Sequence, residues 1–268
     1  MNRYRTLLVS ILLLLSTLIW AATDPGNYFR QSNTNNMYKV DHQIFQDILN
    51  RYLDDNDPSG INRFDYAAVS KEDKQALKNY LKYLSEINIT KLNKDEQMAY
   101  WINMYNALTI NTILEKYPVK SIKDIKSGIF TPGPWKLKLI TVENIELSLN
   151  DIEHSILRPI WKDKRIHYAV NCASLGCPNL SKSVYSANNL EKMLNSAAYD
   201  YINHPRGVKI ENNKLILSSI YNWYKDDFGS KKELLQHLAE YTEGPMKEKL
   251  NSWNGSIKYG YDWDLNAP

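Results

Sequence analysis

From Tyr38 onward, apolar and polar residues recur with helical spacing. Val40, Ile44, Phe45, Ile48 and Leu53 fit one helix, and Asp57-Pro58-Ser59-Gly60 reads as a turn. Lys71 to Ser85 fits a second helix, with Leu77, Tyr80, Leu81 and Leu84 on one face. Asp95 to Tyr117 is apolar all round, as a buried helix is; Asn93 caps it, with Glu96 three residues on, and Pro118 stops it. Two amides, Asn103 and Asn106, lie on one side of this helix. A buried amide without partners costs roughly 1–3 kcal/mol, so something must bond to them.

The pattern then changes to β. Lys136 to Leu149 alternates around Glu143-Asn144, and Val208 to Leu217 around Asn212-Asn213, as hairpins do. Ser148-Leu149-Asn150-Asp151 starts a short helix to Arg158, ended by Pro159. Ile166 to Val170 reads as a strand. Ala187 to Asn203, Lys231 to Tyr241 and Pro245 to Leu250 read as helices, and Trp223 to Phe228 as a helix end packing back on the domain. Helices and hairpins mix without βαβ alternation, so the expected class is α+β, one domain with a buried central helix, surrounding helices and short antiparallel hairpins.

The first 22 residues follow different rules. Arg3 and Arg5 precede an apolar run from Leu7 to Ile19, and Ala21-Ala22 precede a polar stretch. This is the layout of a secretory signal peptide, and the run is short of the roughly 20 residues that span a bilayer. Residues 23–37 are polar and read as a flexible leader, with the domain covering 38–268. The expectation is an exported protein, periplasmic or secreted, with no stable membrane span after cleavage. Loss of Arg3 and Arg5 takes the net charge from +3 to +1, too little to argue for nucleic acid. A small molecule, peptide or protein is the expected class of ligand.

Candidate chemistry centres on the only two cysteines, Cys172 and Cys177, in one loop. They can form a disulfide, since exported proteins meet oxidant, or Cys172 can be a thiolate nucleophile with a resolving or structural partner. His167 lies five residues before Cys172. If 167–171 stays extended, alternation puts His167 and Cys172 on opposite faces. C-x4-C is not a usual zinc spacing, so no metal is assigned, and no cofactor. Asp151, His154 and Arg158 share a stripe. Here His154 can act as a base and Arg158 can bind a carboxylate or phosphate, while Ser148 with Asp151, or Asn150 with Glu153, forms a capping pair. Asn171 or Asn103 can orient a base or stabilise an oxyanion; Asn103, Asn106, Arg158 and Glu153 are candidate substrate contacts. A carboxylate partner for a histidine is available in Asp226-Asp227. Walker, Rossmann, His-Glu-x-x-His and Gly-x-Ser-x-Gly patterns do not occur.

Five stretches carry a resemblance: YWINMYNALTI from Tyr100, SLNDIEHSILR from Ser148, RIHYAVNCASLGCPNL from Arg165, WYKDDF from Trp223, and YDWDLN from Tyr261. In this order they resemble the domain of unknown function 547, from about Phe64 to the C-terminus. The resemblance implies an exported bacterial member and no particular reaction. Eukaryotic members are often joined to glutaredoxin-like or DEP modules, a hint of thiol chemistry. A long apolar helix followed by a His-bearing segment is also similar to papain-like and transglutaminase-like folds. Those folds place Cys at the helix start, where this chain has Trp101 and Asn103. Two functions follow: a thiol-dependent hydrolase or acyl transferase using Cys172 with His167 or His154, or a non-catalytic binding or scaffold domain around a Cys172–Cys177 bridge.

Overall fold

A computed structural model describes residues 24–126, 128 and 131–268; the proposed signal segment 1–22 lies outside the described residues. The chain forms α1 (Pro25–Tyr28), α2 (Gln43–Tyr52), β1 (Leu53–Asp54), β2 (Arg63–Phe64), α3 (Lys71–Ser85) and the central α4 (Lys94–Lys116). Asn93 caps α4 through the Glu96 N–H, as expected. The Glu96 carboxylate does not close the capping box. It accepts instead from the backbone N–H groups of Val40 and Ala187, tying α4 to both flanks. Met98 to Ile110 are buried without interruption, so α4 is the axis of the larger core.

Residues 24–37, read above as a leader, lie against this axis. Phe29 is fully buried edge-on to Trp101, with ring centroids 4.9 Å apart, and Gln97 Nε2 donates to the Gln31 carbonyl.

Both hairpins form where the alternation places them. β3 (Ile140–Val142) pairs with β4 (Ile145–Leu147), and β5 (Val208–Glu211) with β6 (Lys214–Ser218). Each turn has two residues at positive φ: Glu143 and Asn144 at 47° and 66°, Asn212 and Asn213 at 49° and 56°. This geometry matches the strand twist. Glu143 holds this uncommon conformation while its carboxylate accepts from the Ile89 N–H and the Tyr28 hydroxyl.

Two local expectations need correction. The helix after Ser148 does not stop at Pro159. It winds as a π-helix, α5 (Asp151–Leu157), and continues as α6 (Arg158–Trp161). Proline clashes with the carbonyl four residues back; in the wider turn, Arg158 N–H reaches the Glu153 carbonyl five residues back. The second correction is Ile166 to Val170, where a helical turn, α7 (Ile166–Ala169), replaces the strand. Asp163 caps the Arg165 N–H at 2.8 Å, and the 167 and 168 N–H groups bond three residues back, so the chain is already turning. Local capping overrides the β-rich composition.

The rest of the chain builds a second core: α8 (Leu190–Ile202), β5, β6, α9 (Ile220–Trp223), α10 (Lys225–Phe228), α11 (Lys231–Glu240), α12 (Gly244–Ser252) and β7 (Ile257–Gly260), which pairs parallel to β6. α8 bridges the cores, with Leu190 and Leu194 in the first and Ala198, Tyr201 and Ile202 in the second. α7 does likewise, with Ile166 and Ala169 facing one core and Tyr168 the other. The tail after β7 laces over the 171–178 loop: Leu175 and Gly176 N–H groups donate to the carbonyls of Asp264 and Asp262, and the Asn266 N–H to Ala173. A Cβ at Gly176 would lie 2.7 Å from the Asp262 backbone, so glycine permits this approach. The result is the expected α+β domain. Among the described residues, no helix is long and apolar enough to cross a membrane.

Candidate active site

At the seam between the two cores lies a cleft of about 210 Å³. α4 supplies Tyr105, α5 Glu153 and His154, α7 His167, the following loop Cys172 and Cys177, α9 Trp223, and the tail Tyr261 and Trp263. The sequence-predicted Cys, His and Glu candidates therefore meet in one place. His167 and Cys172 both reach it because α7 is helical, which removes the strand alternation that would have separated them.

His167 is held from one side. Its Nε2 lies 2.7 Å from Asp227 Oδ2, and the same oxygen accepts from Arg158 Nε at 2.5 Å. Burial pushes the Asp227 carboxyl up, but the hydrogen bonds and charges of His167 and Arg158 outweigh it and hold it well below the usual carboxylate range. Asp227 is thus an anionic acceptor, and His167 carries its proton on Nε2. Nδ1 is buried with no hydrogen-bond partner, 3.9 Å from Glu153 Oε1. The ring stacks on Tyr224, with centroids 4.0 Å apart. An imidazole fixed at one nitrogen and unpartnered at the other is oriented as a base is.

His154 stands at the rim. Its Nδ1 accepts from Arg158 Nη1 at 2.9 Å. Partial desolvation of the ring, with the Arg158 charge against it, holds its pKa below the ordinary value. The neutral form is therefore favoured, with the proton on Nε2. Asp151 is engaged elsewhere: it accepts from the Ser148 N–H at 2.7 Å and from Lys138, as a cap.

Cys172 and Cys177 are both free thiols, with Sγ atoms 3.0 Å apart. A disulfide has an S–S distance near 2.05 Å, so the expected bridge is not formed here. Cys172 Sγ is 3.1 Å from the Tyr261 hydroxyl and 3.2 Å from that of Ser174. The Cys177 thiol first, then Ser174 and Tyr261, lower the Cys172 pKa against the opposing effect of burial. Burial pushes the Cys177 thiol up, and the neighbouring Cys172 adds to this. The two thiols are therefore unequal: the surroundings favour the anion at Cys172 more than at Cys177, whose thiol is the donor between them. Neither imidazole is within hydrogen-bond distance of Cys172 Sγ among the described residues, so the expected direct Cys–His contact is absent; the two face a shared space.

The three asparagines hold the scaffold together. Asn103 donates to the Tyr185 carbonyl and accepts its N–H. Asn106 donates to Ala169 and accepts from the Asn171 N–H. Asn171 closes its own loop, donating to the Pro178 carbonyl at 2.7 Å and accepting the Ala173 N–H at 2.7 Å. Their amides are engaged with backbone, which answers the partner question raised by the sequence, and none of the three is among the residues lining the cleft. Sequence reasoning missed Ser174, Tyr224 and Tyr261. Their one signal is the 19 tyrosines, whose hydroxyls need partners when buried.

The Asp227 cluster has a measurable consequence. A carboxyl depressed by folding stabilises the protein above its unfolded pKa, near 4, and that contribution is lost as pH falls further. Thermal melts of the wild type are expected to drop between about pH 4 and pH 2 by more than those of Asp227→Asn. Equal slopes for the two proteins would remove the cluster from the account.

Among the described residues, no group of three or more His, Cys, Asp and Glu is arranged to hold a metal ion. Fold and site together define an α+β domain with a dithiol and an oriented imidazole in an aromatic cleft. The family model described as "Protein of unknown function, DUF547" matches residues 89–202, and over that stretch the chain is similar to that family. This match is shorter than the stretch from Phe64 to the C-terminus that the sequence resemblance suggested. No curated protein and no solved structure matches the chain.

Proposed function

We propose that this is an exported thiol-dependent hydrolase or acyl transferase with Cys172 as nucleophile. The observation that carries the reading is an Asp227-oriented His167, unpartnered at Nδ1, in the same cleft as a thiol whose pKa is lowered by three donors. In the first step Cys172 gives its thiol proton to an imidazole, at Nδ1 of His167 or at His154, and its sulfur attacks an acyl carbon. The new C–S bond forms as the bond to the leaving oxygen or nitrogen breaks, and that atom takes a proton from His167 or His154. Water or another acceptor then attacks the thioester, gives its proton back to the imidazole and releases the thiolate. Export rests on the 1–22 pattern; outside the cytoplasm the free thiols need a reductant or a redox partner to keep them reduced.

A second reading is a scaffold with a structural bridge, favoured by the 3.0 Å approach of the two sulfurs. Intact mass separates the readings. The mature protein is incubated with a small activated ester, with and without prior reduction. An acyl adduct on Cys172 that is removed by hydroxylamine supports the enzyme. Absence of an adduct after reduction, together with a loss of two mass units that reductant reverses, supports the bridge. The N-terminus of the secreted form tests the leader.

A further inference from the structure

The Glu153–His167 gap lacks a donor. In the tautomer that donates from Nε2 to Asp227, His167 presents a lone pair at Nδ1, and 3.9 Å away Glu153 Oε1 is another acceptor. Glu153 sits on the π-wound α5 with its side chain 5% exposed. Arg158 lies nearby, over the Tyr224 ring, but its charge is matched by Asp227. Among the described residues, no Lys or Arg lines the cleft. Its walls are aromatic: Trp223, Tyr261 and Trp263 stand with centroids 4.6–5.4 Å apart, and Trp135 meets Trp263 edge-on. Ring faces attract cations, and Trp263 already carries Lys123 Nζ at 4.9 Å. A carboxylate, a thiolate and π-faces together repel an anion and favour a cation. The Tyr224 hydroxyl is a hydrogen-bond partner of Glu153, so the unpartnered atom in the gap is His167 Nδ1, and a charged donor from a ligand would serve both groups.

We propose that the acyl acceptor is a primary amine, bound as its ammonium between Glu153 and His167 Nδ1 with its carbon chain against the tryptophans. This rests on the acyl-transfer reading above. Two N–H groups of the ammonium donate, one to Glu153 and one to Nδ1. Transfer of one proton to Nδ1 leaves a neutral amine, which attacks the Cys172 thioester. The C–N bond forms, the C–S bond breaks, the second amine proton leaves to solvent and the thiolate is restored. The cleft volume suits an alkylamine-sized group.

The test measures binding apart from chemistry. In full-length Cys172→Ser, n-butylammonium, tetramethylammonium, n-butanol and butyrate are titrated by tryptophan fluorescence and calorimetry. The ammonium is expected to bind at least about tenfold tighter than butanol or butyrate, and Glu153→Gln to remove that preference. Tetramethylammonium has no N–H and should bind about tenfold more weakly than n-butylammonium; equal or tighter binding would mean an aromatic cage only and overturn the proposal. Equal affinities in Cys172→Ser with and without Glu153→Gln would overturn it too. In the Cys172 protein, isolated acyl-enzyme should be consumed faster by n-butylamine than by water, in a Glu153-dependent way. If the acyl-enzyme forms but turns over without regard to amine, the inference fails and the acyl-transfer reading stands. If amine binds through Glu153 but no acyl-enzyme forms, the acyl-transfer reading fails and the amine site stands as a binding site.

Discussion

Cys172→Ala is expected to abolish the acyl adduct and to lower turnover by roughly 10⁴-fold or more, the scale of losing a nucleophile in an assembled site. The cysteines differ in their surroundings, so their variants should differ too. Cys172 receives the Ser174 and Tyr261 hydroxyls and the Cys177 thiol, and these stabilise its anion. Cys177 is buried, accepts the Cys172 backbone N–H at 2.9 Å, and has its pKa pushed up. Cys177→Ala should therefore remove one donor of three, leave Cys172 reactive, and move the pH midpoint of its alkylation upward. The measurement is iodoacetamide modification rate against pH, read site by site by mass spectrometry. A Cys177 that alkylates as fast as Cys172 would contradict the assignment of roles. Tyr261→Phe offers a second check, because it removes a donor while keeping the ring beside Trp223 and Trp263. It should shift the same midpoint upward without blocking modification.

The sequence contained the large elements and the site's ingredients, but not their meeting. α3 matches its expected range residue for residue, and α4 shifts by one at each end, because caps and an apolar period are local properties of the chain. The two hairpin turns were legible for the same reason. Pro159 and the Ile166–Val170 run were misread because their outcome depends on more than composition. A π-turn absorbs the proline, and an Asp163 cap diverts a β-rich segment into a helix. That second error mattered for function, since alternation along a strand would have kept His167 away from the Cys172 side. Asp227 was foreseen only as an available carboxylate, 60 residues from the histidine it orients. Tyr261 lies 89 residues from the sulfur it bonds. Pairings at such separation are set by the packing of α7, α10 and the tail against one another, which no local pattern encodes.

Asn106→Leu is expected to destabilise the domain by about 2–5 kcal/mol and to lower the melting temperature by roughly 5–15 °C. Asn106 lies inside α4, 3% exposed, and ties two backbone groups of the 169–171 segment: it donates to Ala169 at 3.0 Å and accepts from Asn171 at 2.8 Å. Leucine keeps the volume, so the loss comes from stranding a buried carbonyl and a buried N–H, each costing about 1–3 kcal/mol. The segment it releases joins His167 to Cys172, so the variant should also change the chemistry. Asn103→Leu is the control. It strands the N–H and carbonyl of Tyr185, which do not line the cleft, and should cost a similar amount of stability. The alkylation rate of Cys172 in folded protein should then change with Asn106→Leu and stay near wild type with Asn103→Leu. Melting curves and the modification rate at a temperature where both variants are folded make the comparison. If both variants altered the thiol equally, Asn106 would be a general core contact, and the placement of Cys172 would depend on the tail that laces over its loop.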